Sequence, residues 1–216
     1  MNTPNEEPVT LSKQALQRMP YYLQYLKKLQ DDGHKIIAAP AIAEALKLNE
    51  VQVRKDFAAV SATKGKPKTG FNISMLIADM EGCLGYRNVN DAVLIGVGSL
   101  GKALLSYKGF GNYGMQIVMA FDIKDEIVGQ EICGKHVLPV TKLSEMCRRL
   151  NIHIGIITVP AEQAQIVCDQ LVAGGIRAIW NFAPIHISTP DHILVQNENM
   201  AASLAMLSKH LQEKLK

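Results

Sequence analysis

The chain has 216 residues, is 48% hydrophobic and carries a net charge of +3, a composition that fits a globular protein and excludes a disordered polyelectrolyte. No apolar run reaches the ~20 residues that span a bilayer, and the polar start MNTPNEEPVT does not read as a signal peptide. The four cysteines and six histidines include no CxxC and only a lone CxxH, Cys133 to His136, without a second pair to complete a ligand set, which argues against a metal site and suits reduced thiols in a cytoplasmic protein.

The charge is unevenly placed. Residues 1–80 hold eleven Lys/Arg against eight Asp/Glu, whereas residues 81–216 hold twelve of each. All the excess positive charge therefore sits in the N-terminal third, as expected of a segment that meets a polyanion. Within that third, Leu11 to Asp32 reads as a helix, with Leu16, Met19, Leu23, Leu26 and Leu29 at three- or four-residue spacing. Pro20 predicts a start or a kink inside it, and Gly33 ends it. Pro40 opens a short helix, AIAEALKL, and Asn49 caps the next, EVQVRKDFAAV. Two short helices joined by Lys47-Leu48-Asn49 make a helix-turn-helix. The following SATKGKPKTGFNI, broken by Gly65, Pro67 and Gly70, suits a basic β-hairpin wing carrying Lys64, Lys66 and Lys68. On this reading Arg54 and Lys55 of the second helix face bases and phosphates in a DNA major groove. A small helical dimerisation module with a wet, charged face is the alternative.

After a linking helix from Ser74 to Leu84, the segment YRNVND marks a change of rhythm. AVLIGV is a continuous apolar run, as in a strand covered on both faces. A helix over Leu100–Tyr107 follows, then alternating strands (QIVMAFD, HVLPV, IHIGIITVP, AIWNFAP, ILVQ) and helices (Leu143–Leu150, Ala161–Ala173). This alternation predicts a doubly wound parallel sheet. Met200 to Leu215 forms a last helix with an apolar stripe.

Gly96-Val97-Gly98-Ser99-Leu100-Gly101 is a GxGxxG motif between a strand and a helix. Its first glycine permits the tight turn, its second admits a pyrophosphate to the backbone, and its third lets helix and strand approach. The next strand ends in Asp122, placed to take both hydroxyls of an adenosine ribose, and a carboxylate there repels a 2′-phosphate, favouring NAD(H) over NADP(H), although Lys124 lies nearby. Thr158-Val159-Pro160 and Asn181-Phe182-Ala183-Pro184 each fall at the C-terminal end of a predicted parallel strand, the edge at which such sheets bind ligands.

Taken in order, Arg18-Met19-Pro20-Tyr21-Tyr22-Leu23, Val53-Arg54-Lys55-Asp56-Phe57, Gly70-Phe71-Asn72-Ile73, the glycine motif, Ala120-Phe121-Asp122, Thr158-Val159-Pro160 and Asn181-Phe182-Ala183-Pro184 resemble the Rex family of bacterial redox-sensing repressors. The resemblance runs from about Leu11 to Leu211. It implies an α/β protein with an N-terminal winged helix-turn-helix domain over 1–83, a Rossmann-type NAD(H) domain over 84–197, and a C-terminal helix over 198–216 swapped in a homodimer. It further implies that NADH closes the dimer and releases a double-stranded operator, expected to be palindromic, while NAD⁺ competes. Tyr107 would then lie near the nicotinamide, and Arg18 would couple the domains. Two departures stand out. The chain has Ala58 to Thr63 and three spaced lysines where many members carry an aromatic- and glycine-rich run. It also has Asn199, beside Glu198, where many have an aspartate before the last helix. Either the charge-based switch uses another partner or the coupling is weaker. A small dehydrogenase and a binding module for CoA or another nucleotide are the alternatives. The first lacks a substrate domain and an evident acid–base pair. The second must place a ribose phosphate against Asp122.

Overall fold

A computed structural model describes residues 11–61, 70–86 and 90–215. The chain divides into two compact units, Met1–Arg87 and Asn88–Lys216.

In the first unit, helix α1 (Lys13–Asp31) starts where the Ser12 hydroxyl accepts the Ala15 amide at 3.1 Å. It runs through Pro20 without ending. Met19, Tyr22, Leu23 and Leu26 recur at three- and four-residue intervals and are buried, so tertiary packing outweighs the backbone bond that proline removes. Strand β1 (Ile36–Ile37) precedes α2 (Ala39–Leu46), which has Pro40 in its first turn. Lys47 then adopts the left-handed conformation, φ +53°, and turns the chain into α3 (Glu50–Val60). Asn49 caps α3 by accepting the Gln52 amide. Strand β2 (Phe71–Asn72) leads into α4 (Ile73–Cys83), capped by Asn72 through the Met75 amide. Of the predicted wing, only its ends are described. β2 pairs antiparallel with β1, upstream of the helix-turn-helix, and Lys64, Lys66 and Lys68 lie outside the described residues.

The core of this unit is built on Phe57, whose ring meets Tyr22 and Phe71 edge-on at 5.4 and 5.2 Å. One residue earlier, Asp56 is almost fully buried and accepts four bonds. Arg18 donates two, Nε to Oδ2 at 2.7 Å and a terminal nitrogen to Oδ1 at 2.9 Å. Tyr22 Oη donates at 2.8 Å and Gln52 Nε2 at 2.9 Å. Burial works to raise the Asp56 carboxyl, but the bonds from Arg18, Gln52 and Tyr22 outweigh it and hold it below the usual carboxylate range. Burial, reinforced by Asp56, pushes the Tyr22 phenol up to about 12.

The second unit is a seven-stranded sheet in the order β5-β6-β4-β3-β7-β8-β9. Its strands are β3 (Asn90–Ile95), β4 (Met115–Asp122), β5 (Glu131–Ile132), β6 (Lys135–Pro139), β7 (Ile154–Ile157), β8 (Ala178–Asn181) and β9 (Leu194–Asn197). All neighbours are parallel except β5 and β6. Leaving β5 aside, this is the doubly wound order that starts at a central strand and reverses beside it. β3 is that strand, with β4 on one side and β7 on the other. Its residues alternate between two cores. Val93 and Ile95 pack with α6 (Leu143–Arg149) and α7 (Ala161–Ala173), and Ala92 and Leu94 pack with α5 (Ser99–Ser106). The glycine-containing segment after α5 is a 3₁₀ turn, Lys108–Tyr113. The unpredicted strand β5 reaches β6 through Cys133 and Gly134, both at positive φ, a hairpin turn in which cysteine gives no usual signal. A last helix, α8 (Met200–Lys214), ends the chain.

Removing Arg18 leaves the buried Asp56 charge with only two neutral donors. Arg18→Met should cost about 2–4 kcal/mol of stability in the first unit. Because the folded Asp56 carboxyl lies below its unfolded value, its contribution is complete above about pH 4 and is lost as pH falls through the lower, folded value. Calorimetry of Asp56→Asn should therefore show a deficit against the wild type at pH 7 that narrows in acid.

Candidate functional site: a glycine turn at the reversal of the sheet

The chain leaves β3 through Gly96 at φ +97°, and Gly96 N donates to Phe121 O at 2.8 Å. A Cβ on Gly96 would come within 2.8 Å of both the Thr158 carbonyl and a Val159 methyl. A Cβ on Gly101 would collide with the Gly96 carbonyl, so only glycine lets α5 sit this close to the turn. Gly98 is different, since nothing protein-borne lies within 4 Å of its Cβ position. The open space there is the room that a ligand approaching the backbone needs.

Two side chains hold the turn from either side. The Asp122 carboxylate at the end of β4 is 7% exposed. Its Oδ2 accepts Val97 N at 2.6 Å, and its Oδ1 accepts the amides of Ile123 and Lys124 at 2.8 and 3.0 Å. From β7, the Thr158 hydroxyl donates to Gly96 O at 2.7 Å. Between them opens a cleft of about 700 Å³ at the C-terminal edge of the sheet, where the strand order reverses. The volume suits a sizeable organic ligand.

Gly96, Val97, Gly98, Leu100, Asp122, Thr158, Val159, Pro160 and Phe182 all line this cleft. Ser99 and Gly101 form the first turn of α5 behind it. Asn181 serves the fold instead. It is fully buried, donates from Nδ2 to Ala183 O, Ile185 O and Asn197 Oδ1, and accepts Ala183 N. Pro184 is exposed and stands off the cleft. Tyr107 also stands off it, half exposed on a second hollow of about 580 Å³ with Phe110 and Lys135. The sequence reading missed the far wall, formed by Ile123, Val140, Thr141, Gln163, Ile166 and Gln170. The i, i+3, i+7 spacing of the last three on α7, following Pro160 at the strand edge, was the available signal.

A row of rings runs away from the cleft. Phe182 lies 4.8 Å from Trp180, Trp180 5.9 Å from Phe110, and Phe110 4.8 Å from Tyr107. Trp180 Nε1 donates to Glu198 Oε1 at 2.9 Å, just before Asn199 caps α8 by accepting the Ala202 amide at 3.0 Å. No residue of α8 is buried. Met200, Leu204, Leu207 and Leu211 repeat every three or four residues at 55% exposure or more.

In the first unit, α3 turns Val53, Asp56 and Phe57 inward and Val51, Arg54, Lys55 and Ala58 to solvent. Arg54 is bound on the surface to Glu50 one turn earlier, with Nε at 2.8 Å. Arg18, expected to couple the domains, is engaged within this unit with Asp56. Burial pushes the Cys147 and Cys168 thiols up to about 11, which keeps them in the unreactive form. Among the described residues no cluster of His, Cys, Asp or Glu could hold a metal ion, and no helix is long and apolar enough to cross a membrane.

Two families match parts of the chain, the "CoA binding domain" over residues 88–185 and the "Putative DNA-binding protein N-terminus" over residues 10–58. Over 207 residues the chain is 35% identical to the redox-sensing transcriptional repressor Rex of Bacteroides fragilis, covering 96% of this chain and 94% of that protein. The crystal structure of RSP in complex with NAD⁺ and operator DNA superposes with a TM-score of 0.88 at 31% identity, covering 95% of this chain and 94% of that one. RSP in complex with NADH superposes at 0.83 and 30% identity, covering 95% and 98%.

The steric role of the third glycine is directly testable. Gly101→Ala should cost about 1–3 kcal/mol, because the added methyl forces α5 off the turn. A thermal melt unchanged from wild type would show that the helix can move away freely.

Proposed function

Because the chain belongs to the Rex family of redox-sensing transcriptional repressors, we propose that the first unit binds operator DNA and that NADH in the cleft of the second releases it, with NAD⁺ competing for the same place. The observation that carries the ligand reading is Asp122, a buried carboxylate at the end of β4 bonded to the backbone of the glycine turn. A dinucleotide fits the residues present. Gly98 leaves space for the pyrophosphate at the positive end of α5. Asp122 Oδ2, which accepts only Val97 N, keeps a lone pair for a ribose hydroxyl, and the carboxylate repels a 2′-phosphate, so NAD(H) is preferred to NADP(H). Lys124 is exposed beyond it and leaves that preference in place. The same repulsion disfavours CoA, whose ribose carries a phosphate, so the CoA binding domain match reflects the fold. Phe182 and Thr158-Val159-Pro160 form the other end of the cleft, toward the nicotinamide.

The cofactor acts as a signal. It alters the protein by binding better to one arrangement of the dimer than to the other, since equal affinity would shift nothing. In that dimer α8 of each chain buries its apolar stripe against the partner. Asn199 caps this helix and carries no charge. Glu198 supplies the nearest carboxylate, already bonded to Trp180, and the ring row to Tyr107 gives the cleft a packed connection to the helix. Arg54 and Lys55 face the major groove. Arg54 must exchange Glu50 for a guanine edge, and Lys64, Lys66 and Lys68 follow the phosphates. The place of action is the cytoplasm, where NADH and DNA meet.

A gel shift on DNA upstream of NADH-oxidising genes, run without ligand, with NAD⁺ and with NADH, tests the reading. The retarded band should vanish with NADH alone, and a band indifferent to NADH would overturn redox sensing. Asp122→Ala should weaken NADH binding by about 1.5–3 kcal/mol in titration calorimetry, and an unchanged affinity would remove Asp122 from the site. Arg54→Ala should abolish specific operator binding with NADH affinity intact. Retention of the band at moderate salt would refute the assignment of α3.

A further inference from the structure

Among the described residues of α2 and α3, Val51 is the one large apolar side chain left in the open, at 59% exposure. A single exposed valine is ordinary on a protein surface. This one is set apart by its place. It lies in the first turn of α3, on the same face as Arg54, Lys55 and Ala58, and residues at the start of a recognition helix are those that reach base edges. That face has one orientation, because Asp56 binds Arg18 and Tyr22 of α1 from the opposite side of the helix. The valine itself is stiff. A β-branched side chain in a helix keeps essentially one rotamer, so covering it costs little order.

The chemistry of the groove identifies what would cover it. The major groove presents one apolar group, the C5-methyl of thymine, among hydrogen-bond donors and acceptors. An A·T pair is recognised there either by an Asn or Gln amide that bonds adenine twice, or by apolar contact with that methyl. Both amides at this end of α3 are committed within the protein. Asn49 Oδ1 accepts Gln52 N at 3.2 Å, and Gln52 Nε2 donates to Asp56 at 2.9 Å. Arg54 and Lys55 supply cations for guanine and phosphate. What this end of the helix keeps for an A·T pair is the Val51 side chain. Ala58 offers only a single methyl, two turns further from the N-terminus.

We propose that Val51 packs against the methyl of a thymine in the operator and so selects an A·T pair beside the guanine that Arg54 reads. The inference rests on the reading of the first unit as an operator-binding domain, and one experiment separates the two. Duplexes are enriched from a randomised library with the wild-type protein. Each thymine of the enriched duplex is then replaced in turn by deoxyuridine, which removes the methyl alone. Gel-shift titrations compare the wild type with Val51→Ser. For the wild type, one thymine of a half-site should stand out, with affinity falling on the order of 3- to 10-fold when its methyl is removed. It should lie within about three base pairs of an enriched guanine, since Cβ atoms three residues apart on a helix are ~5–6 Å apart and successive bases ~3.4 Å. Val51→Ser should bind the thymine and deoxyuridine duplexes equally. A wild type indifferent to every methyl overturns the role of Val51 and leaves operator binding standing, whatever the variant does. The same losses at every sensitive thymine in Val51→Ser also overturn it. Failure of the wild-type protein to enrich any sequence overturns the operator reading, and this inference with it.

Discussion

The carbonyl oxygen of Gly96 accepts the Thr158 hydroxyl at 2.7 Å, and the same oxygen leaves no room for a Cβ on Gly101. These two facts tie the ends of β3 and β7 and the start of α5 to one peptide group. Asp122 adds β4 through its bond to Val97 N. Three adjacent strand ends and one helix N-terminus are thereby locked where the strand order reverses, and a cleft is the necessary result. Each contact made by the turn is a close one except at Gly98, and that exception is where a ligand can enter.

In the first unit the equivalent role falls to a charge. Asp56 faces inward from α3 into donors supplied by α1 and by α3 itself. Three bonds from Arg18 and Tyr22 fix the rotation of α3 about its own axis relative to α1. Because Arg54 and Lys55 lie two positions before and one before Asp56, that rotation decides which way the cations point. A buried carboxylate is costly unless fully paired. The pairing here orients a helix whose other face must be presented to a rigid partner.

Much of this architecture was legible in the sequence. AVLIGVGSLG announces a two-sided strand and a glycine turn through apolar continuity and glycine spacing alone. Asn49 and Pro40 mark helix starts by local chemistry. What stayed hidden depends on residues distant in the chain. The pairing of Arg18 with Asp56 spans 38 positions and leaves no periodic trace. Asn181 at a strand end looks like a ligand-binding residue, yet its amide is consumed by the turn that follows it. Tyr107 ends α5 as expected, but the 3₁₀ turn behind it carries it to a different hollow. The far wall of the cleft was missed because an amphipathic helix reads as core-facing whether its polar members meet water or a ligand.

Trp180 is the chain's single tryptophan, and it bonds through its indole nitrogen to Glu198 while its ring lies against Phe182. The molecule thus carries one indole fluorophore, set between the wall of the cleft and the root of the last helix. Its emission overlaps the absorption of reduced nicotinamide and not that of the oxidised form. The two redox states of the cofactor are consequently distinguishable by the colour of light this protein emits, without any label attached.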